Sequence, residues 1–365
     1  MPCSKGKHGQ ENLNCNDQAD MKKNANVNFV RPILNALCCF GFVLHSFSQD
    51  NNDLAGVPGK WSYTDKNSSG EWFGEQYYKM TAVELQKYHS TTQKLVNYLQ
   101  QQPAAQKPLG VNLNAESRAA YENYDHAAYP VKPNEKVKAE IYVPFCNLIY
   151  NNGKIDNACT EVSYIKLRTN DIASTFESAM SVDLISDKQA MKQFKEIFYR
   201  PKKLLDLGDG IFLYDGYYQN RIVVSGSDRP LWVPITNQEY TNSMLTYYNA
   251  SLKEGTIPQM VIDALKSEIA GIPAELMTMP AYTNGNAQRP LTGICTMEED
   301  STTALYKINP AYFDSSLPRT SVQLITILIE GNADDREWGS INAHRVWEFI
   351  EGLKGSDLKK LLDIN

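Results

Sequence analysis

The stretch that decides the fold runs from residue 137 to residue 169, VKAEIYVPFCNLIYNNGKIDNACTEVSYIKLRT. Apolar and polar residues alternate from Val137 to Phe145, which is the period of a strand with one buried face. Pro144 lacks an amide proton and is expected at an edge or a bulge. Asn152-Gly153 is typical of a two-residue hairpin turn, and Glu161 to Thr169 supplies a second strand. The sequence therefore predicts an antiparallel β-hairpin here.

The same turn predicts a disulfide bond. Counting outward from Asn152-Gly153 places Cys146 directly opposite Cys159, at a pair of the non-hydrogen-bonded kind. Side chains are closest at such pairs, so a bond between the two sulfurs is sterically reasonable. Two reduced, buried cysteines, or a bulge that breaks the hairpin before residue 146, remain as alternatives.

Helix signals and further strands surround the hairpin. Thr81 with Glu84, and Thr236 with Glu239, match the capping box that begins a helix. Residues 211–235 contain three short apolar runs and predict a meander. Residues 320–330 are apolar on both faces from Leu324 onward, as in a central strand covered on both sides. This mixed order predicts an α+β fold, with antiparallel strands and hairpins and several capped amphipathic helices packed on the sheet.

The first fifty residues predict export. From Met21 the chain has a basic segment, an apolar run over residues 32–44, and small residues at Ser46 and Ser48, which is the pattern of a cleavable signal peptide. The apolar run is shorter than the roughly 20 residues of a membrane span. We expect residues 1–20 to be an extension outside the natural protein, 21–48 to be the signal peptide, and cleavage to follow Ser48. A membrane anchor and a lipoprotein are the alternatives.

Beyond residue 48 the sequence predicts an N-terminal helical segment and linker over 49–110 and a main α+β domain over 111–365. No second long apolar run occurs, so no membrane span is expected in the mature chain. The formal net charge of −6 and the scattered lysines argue against a nucleic-acid partner. The predicted location is the periplasm or the cell exterior, where a disulfide can form.

Motifs for catalysis and cofactors are sparse. After residue 48 the chain keeps three cysteines and three histidines without the clustering of a metal site. Phosphate-binding, dinucleotide-binding and zinc-protease motifs are absent from the sequence. We therefore predict neither a metal nor a cofactor. The candidate catalytic residues are Glu298 and Asp300, which would form the acid pair of a hydrolase, and His344 as a base.

Aromatic residues suggest a binding surface instead. Tyr124, Tyr217, Tyr218 and Trp232 belong to tyrosine-rich or tryptophan-containing stretches, and these side chains suit half-hydrated contacts with a sugar or a protein. Core packing is the alternative explanation for the same residues. The predicted partners are an envelope protein or a glycan.

Three segments resemble those of uncharacterised secreted proteins from Bacteroidetes-type bacteria. The segments are SFSQ followed by DNND at residues 46–53, RPLWVPIT at residues 229–236 with Glu239-Tyr240, and LPRTSVQLIT at residues 317–326. The resemblance implies a periplasmic or surface location and carries no catalytic residue. Two hypotheses follow: a non-catalytic binding or accessory protein of the cell envelope, which the sequence favours, and a secreted hydrolase acting on an extracellular polymer.

Overall fold

The computed structural model describes residues 54–66, 79–119, 135–176, 201–216, 219–283, 303–330 and 341–363, together with short stretches between 186 and 199. Residues 52–365 form one compact unit. The segment 49–110 contributes one strand and two helices to this unit, which also holds the domain predicted over 111–365. The predicted signal peptide over 21–48 lies outside the described residues.

Strands and helices are numbered along the chain. The strands are β1 Trp61–Asp65, β2 Val111–Ala119, β3 Ala139–Asn151, β4 Lys154–Thr169, β5 Phe198–Tyr199, β6 Lys203–Asp206, β7 Phe212–Tyr214, β8 Asn220–Ser225, β9 Trp232–Pro234, β10 Tyr282–Thr283, β11 Thr303–Ile308 and β12 Leu324–Glu330. The helices are α1 Ala82–Gln100, α2 Pro103–Gln106, α3 Asn237–Lys253, α4 Gln259–Ala270, α5 Ile341–Glu351 and α6 Gly355–Lys359.

The predicted hairpin is present and longer than expected. Asn152 and Gly153 both have positive φ, at 51° and 75°, which is the conformation that a two-residue hairpin turn requires. From this turn β3 and β4 pair in the predicted register, from Asn151 opposite Lys154 to Asn147 opposite Ala158. The second strand begins at Lys154 instead of the predicted residue 161.

A register shift interrupts the hairpin next to the cysteines. Phe145 lies opposite Ser163, so β4 carries extra residues immediately after Cys159. The shift lies between Asn147 and Phe145, at the position of Cys146, and the two cysteines still lie together. The Cys146 and Cys159 sulfurs are 2.01 Å apart, at the distance of a disulfide bond, and the two Cα atoms are 4.5 Å apart, as in a non-hydrogen-bonded pair. Pro144 lies beside this shift in an interior strand.

The large sheet has eight strands in the order β1-β2-β3-β4-β12-β8-β7-β6. All neighbours are antiparallel except β1 and β2, which run parallel. Strand β12 lies between β4 and β8, and its residues from Leu324 to Ile329 are buried. This confirms the prediction of a central strand covered on both faces. The α+β class with antiparallel strands is likewise confirmed.

One face of the large sheet packs against helices. Alternate residues of the inner strands, such as Ile141, Ile165 and Ile327, join a single buried cluster with side chains from α1, α5 and α6. Leu95 and Leu99 of α1 are fully buried there. The periodicity of the strands thus places one apolar face toward the helices and leaves the other face to the intervening polar residues.

A smaller sheet and two helices form the second buried cluster. Strands β10, β11 and β5 pair in that order, and β9 also pairs with β11. Tyr240, Met244 and Tyr247 of α3 pack there with Leu265 of α4. The predicted three-stranded meander over 211–235 is therefore wrong in its third strand. Strand β9 does not pair with β8, because the edge of β8 that faces away from β7 is occupied by β12.

Both predicted capping boxes are present. At the start of α1 the Thr81 hydroxyl accepts from the Glu84 amide, and the Glu84 carboxylate accepts from the Thr81 amide. The Glu84 carboxylate also accepts from Arg319 Nε at 2.7 Å. The hydrogen bond from Arg319 and that from the Thr81 amide lower the pKa of Glu84 to about 2.

Among the described residues, none of the helices combines the length and the apolar character that a membrane crossing needs.

We expect the Cys146–Cys159 pair to stabilise the fold by about 3 kcal/mol, because closing a loop of this size restricts the unfolded chain. Urea unfolding with and without a reductant measures this difference. The double variant Cys146→Ser/Cys159→Ser is the control and should be insensitive to the reductant. Equal stability of the wild-type chain in both conditions would contradict the prediction.

We expect Glu84→Gln to lower the free energy of unfolding by about 1 kcal/mol at neutral pH, because glutamine can still complete the capping box but lacks the negative charge that pairs with Arg319 and favours the helix start. A folded-state pKa of about 2 lies below the usual value of 4.5, so the stabilisation is present above that usual value and is lost as the pH falls through about 2. The difference between wild type and variant should therefore shrink in acid. Glu275→Gln, at an exposed glutamate, is the control. A difference that does not depend on pH would show that the interpretation is wrong.

Candidate functional site

A cavity of about 360 Å³ opens between β1, the end of α1 and α2. This volume lies near the lower end of the roughly 300–1,000 Å³ range of ligand pockets. The residues that line it are Gly59, Trp61, Asn97, Gln100, Gln101, Ala105, Gln106 and Pro108. We call this cavity the amide pocket, since half of its lining residues carry a side-chain carboxamide.

The helical wall of the amide pocket follows from local sequence. Helix α1 ends at Gln100 because Pro103, which lacks an amide proton, prevents it from continuing. Gln102, directly before the proline, has an extended backbone. Pro103 then begins the short helix α2, where a proline is tolerated in the first turn. The chain therefore bends sharply and brings Gln106 back beside Gln100.

The strand wall depends on a close approach of two backbones. The Gly59 amide donates to the Pro108 carbonyl at 2.8 Å, and β1 begins two residues later at Trp61. A Cβ atom on Gly59 would lie 1.7 Å from the Val111 carbonyl oxygen. Only glycine fits there without a shift of the backbone. Trp61 is half-buried and packs partly against the main core cluster, which holds its ring at the pocket wall.

The polar groups of the lining are available to a ligand. The carboxamides of Gln100, Gln101 and Gln106 are exposed, and within the described part of the chain they have no hydrogen-bond partner. The Asn97 carboxamide accepts from Gln93 Nε2 at 2.8 Å through its oxygen, which leaves its amide protons to donate. The lining contains no acid, base, thiol or hydroxyl side chain. The pocket can therefore hold an uncharged polar ligand but supplies no group for proton transfer.

A charged cluster lies on the large sheet, on the face opposite the helices. Arg118, Glu140 and Arg168 are directly opposite one another on β2, β3 and β4. Each arginine places an Nη2 atom 2.6 Å from a Glu140 oxygen. Burial by itself raises the pKa of Glu140, but Arg168 and Arg118 outweigh it and hold that pKa below its usual range. Arg168 also pairs with Asp171 at 2.9 Å.

A half-buried lysine lies in the same face. The Lys166 ammonium is 4.6 Å from the centre of the Tyr164 ring and 5.6 Å from that of Tyr142. Desolvation lowers the pKa of Lys166. Gln219 Nε2 donates to the Tyr164 hydroxyl at 2.6 Å and to Glu330 at 2.8 Å. The cluster combines opposite charges and aromatic contacts between neighbouring strands, which is how cross-strand pairs stabilise a sheet.

The structure places only some of the sequence-predicted site residues. Cys146 and Cys159 lie together, as described above. Trp232 is half-buried, its ring contacts Phe198 and Tyr214, and its indole N–H donates to Thr175 Oγ1 at 3.4 Å. The side chain therefore packs between elements. Tyr124, Tyr217 and Tyr218 lie outside the described residues.

The predicted catalytic residues are not brought together in the described part of the chain. The His344 side chain on α5 is 56% exposed, and its Nε2 lies 3.3 Å from Glu348 one turn further along the helix. Glu298 and Asp300 lie outside the described residues. Among the described residues, acids, histidines and cysteines form no group that could hold a metal ion.

Sequence reasoning did not identify the amide pocket. The prolines and the glycine of the stretch QQQPAAQKPLG over 100–110 are typical of a linker, and this stretch is the linker part of the predicted segment 49–110. The features of the sequence that could have indicated the pocket are the run of glutamines beside a helix-ending proline and Trp61, some forty residues earlier. The pairing that joins the two depends on β1 and β2 running parallel, which no local pattern indicates.

We expect Gly59→Ala to lower the free energy of unfolding by about 2 kcal/mol, as overpacking does, and to displace Trp61 from the pocket wall. Gly56→Ala is a matched control three residues away, since a Cβ atom there meets nothing within 4 Å. Thermal unfolding of both variants measures the effect. Equal stability of the two would contradict the close approach of Gly59 to Val111.

Comparisons with known proteins gave no relative: no protein-family model matches the chain, and neither the curated proteins nor the solved structures contain a significant match to it.

Proposed function

We propose that this chain is an exported, non-catalytic binding protein of the bacterial cell envelope. The observation that carries the proposal is the amide pocket, whose lining combines Trp61 with four carboxamides and contains no titratable or nucleophilic side chain. Acid–base catalysis needs a group that exchanges protons near neutral pH, and covalent catalysis needs an activated nucleophile. A pocket without either can bind a ligand but offers no means of transforming it.

Two ionisable groups outside the pocket, Glu140 and His344, are consistent with the same conclusion. In the charged cluster, Glu140 is fully engaged by Arg118 and Arg168, so it is held ionised and is not poised to exchange a proton. His344 is exposed on a helix and faces a glutamate of the same helix. The alternative is a hydrolase that uses Glu298 and Asp300. The described residues offer no observation in its favour.

Two features favour the cell envelope as the location. The N-terminal pattern over 21–48 predicts export. Cys146 and Cys159 lie at disulfide distance on a hairpin, and Cys159 is exposed. Disulfides of this kind persist in oxidising compartments such as the periplasm and are rare in the cytosol.

The proposal is tested by expressing the full chain in a bacterial host and analysing the fractions by mass spectrometry. We expect an envelope or periplasmic protein that begins at Gln49, with Cys146 and Cys159 oxidised.

Envelope material incubated with the purified protein should yield a bound component and no cleavage product. Gln106→Ala should lose that component, and Gln259→Ala, an exposed glutamine on α4, should retain it. A cytosolic chain with an intact leader, or turnover of the envelope material, would refute the proposal.

A further inference from the structure

We propose that the amide pocket binds an uncharged saccharide. This inference rests on the proposed function, because it names the ligand class of the same site. The juxtaposition that carries it is that of a half-buried tryptophan, Trp61, and the residues Gln100, Gln101 and Gln106, which line one cavity of about 360 Å³.

The hydrogen-bonding groups match those of a sugar. Each carboxamide offers an acceptor oxygen and two N–H donors, and each sugar hydroxyl is likewise both donor and acceptor. The three glutamine carboxamides have no partner in the part of the chain that the structure describes. They are therefore free to pair with hydroxyl groups at different positions of one ring, without the loss of an existing protein contact.

The aromatic wall complements the other surface of a sugar ring. The C–H groups on the face of a pyranose form an apolar surface, and an aromatic ring supplies a flat apolar surface of similar size with a polar N–H at one end. Trp61 is held by its packing against the main core cluster, so little conformational freedom is lost when a ring stacks on it. Its indole N–H donates to no described residue and remains available to a hydroxyl group.

The polar but uncharged lining disfavours charged ligands and mostly apolar ligands. A carboxylate or phosphate ligand is usually held by arginine or lysine, and none lines the pocket. A mostly apolar ligand would displace water from the carboxamides of Gln100, Gln101 and Gln106 without offering them a hydrogen-bond partner, which is unfavourable. Lys60 and Lys107 adjoin the lining in sequence and are exposed, which makes acidic saccharides the comparison that the test must include.

The size of the cavity restricts the form of the ligand. A volume near the lower end of the range for ligand pockets suits a small saccharide or the end of a longer chain. The buried residues Ala105 and Pro108 close the inner part, while the glutamines are exposed and flank the opening. The pocket thus has room for a small saccharide or for a short part of a longer chain whose remainder extends into solvent.

The test is a saccharide-binding measurement on the purified full chain, by glycan array and then by isothermal titration calorimetry. The probes are neutral hexose and N-acetylhexosamine oligosaccharides, the corresponding uronic acid oligosaccharides, and an uncharged dipeptide. We expect binding of a neutral saccharide and about tenfold weaker binding for Trp61→Ala, with a smaller loss for Gln106→Ala. Tyr150→Ala and Gln259→Ala, at exposed positions outside the pocket, should bind as the wild type does.

Because Trp61 also packs on the core, Gln100→Ala and Gln106→Ala keep the test informative if Trp61→Ala does not fold. The inference is overturned if no neutral saccharide binds, if only the acidic saccharides or the dipeptide bind, or if both glutamine variants bind as the wild type does. If no neutral saccharide binds but the pocket glutamines are needed to retain a different envelope component, the saccharide inference is wrong and the proposed function still stands.

Discussion

The pairing of β3 with β4 is the constraint on which the rest of the structure depends. The turn at Asn152-Gly153 sets the register as far as Asn147, because both residues take the positive φ that a two-residue hairpin needs. Beyond the shift at Cys146, the pairing of Phe145 with Ser163 begins the register that the inner part of the sheet keeps. A slip of one residue would turn Ile141 and its neighbours away from the helices and expose them. The cysteine pair in the middle of β3 and the alignment of Glu140, near the start of β3, with arginines of both neighbouring strands each oppose such a slip.

The geometry of the amide pocket depends on this register through two further strand pairings. Strand β2 pairs with β3, and β1 pairs with β2, so the position of Trp61 is fixed relative to the hairpin. Helix α1 packs on the same sheet, and its end together with α2 brings the glutamines to the same place. A rigid scaffold therefore presents a short irregular segment, which is the usual way in which binding residues are positioned.

The parts of the fold that the sequence predicts are those encoded locally. The Asn-Gly turn, both capping boxes and the apolar strand over 324–330 each depend on a few adjacent residues, and all were predicted correctly. Three other features depend on pairing partners that lie elsewhere in the chain. They are the parallel pairing of β1 with β2, the pairing of β9 in the second sheet and the register shift after Cys159. The amide pocket was missed for the same reason, since its two walls are joined only by long-range pairing.

The most direct test of this account is the register of the hairpin in solution, measured by NMR as Hα–Hα contacts between β3 and β4. Close contacts are expected at the non-hydrogen-bonded pairs Tyr150/Ile155, Leu148/Asn157 and Cys146/Cys159. Beyond the cysteines, cross-strand contacts should place Phe145 opposite Ser163. Contacts that place Tyr150 opposite a different residue, or Phe145 opposite Thr160, would contradict the register and with it the placement of β1 and the pocket.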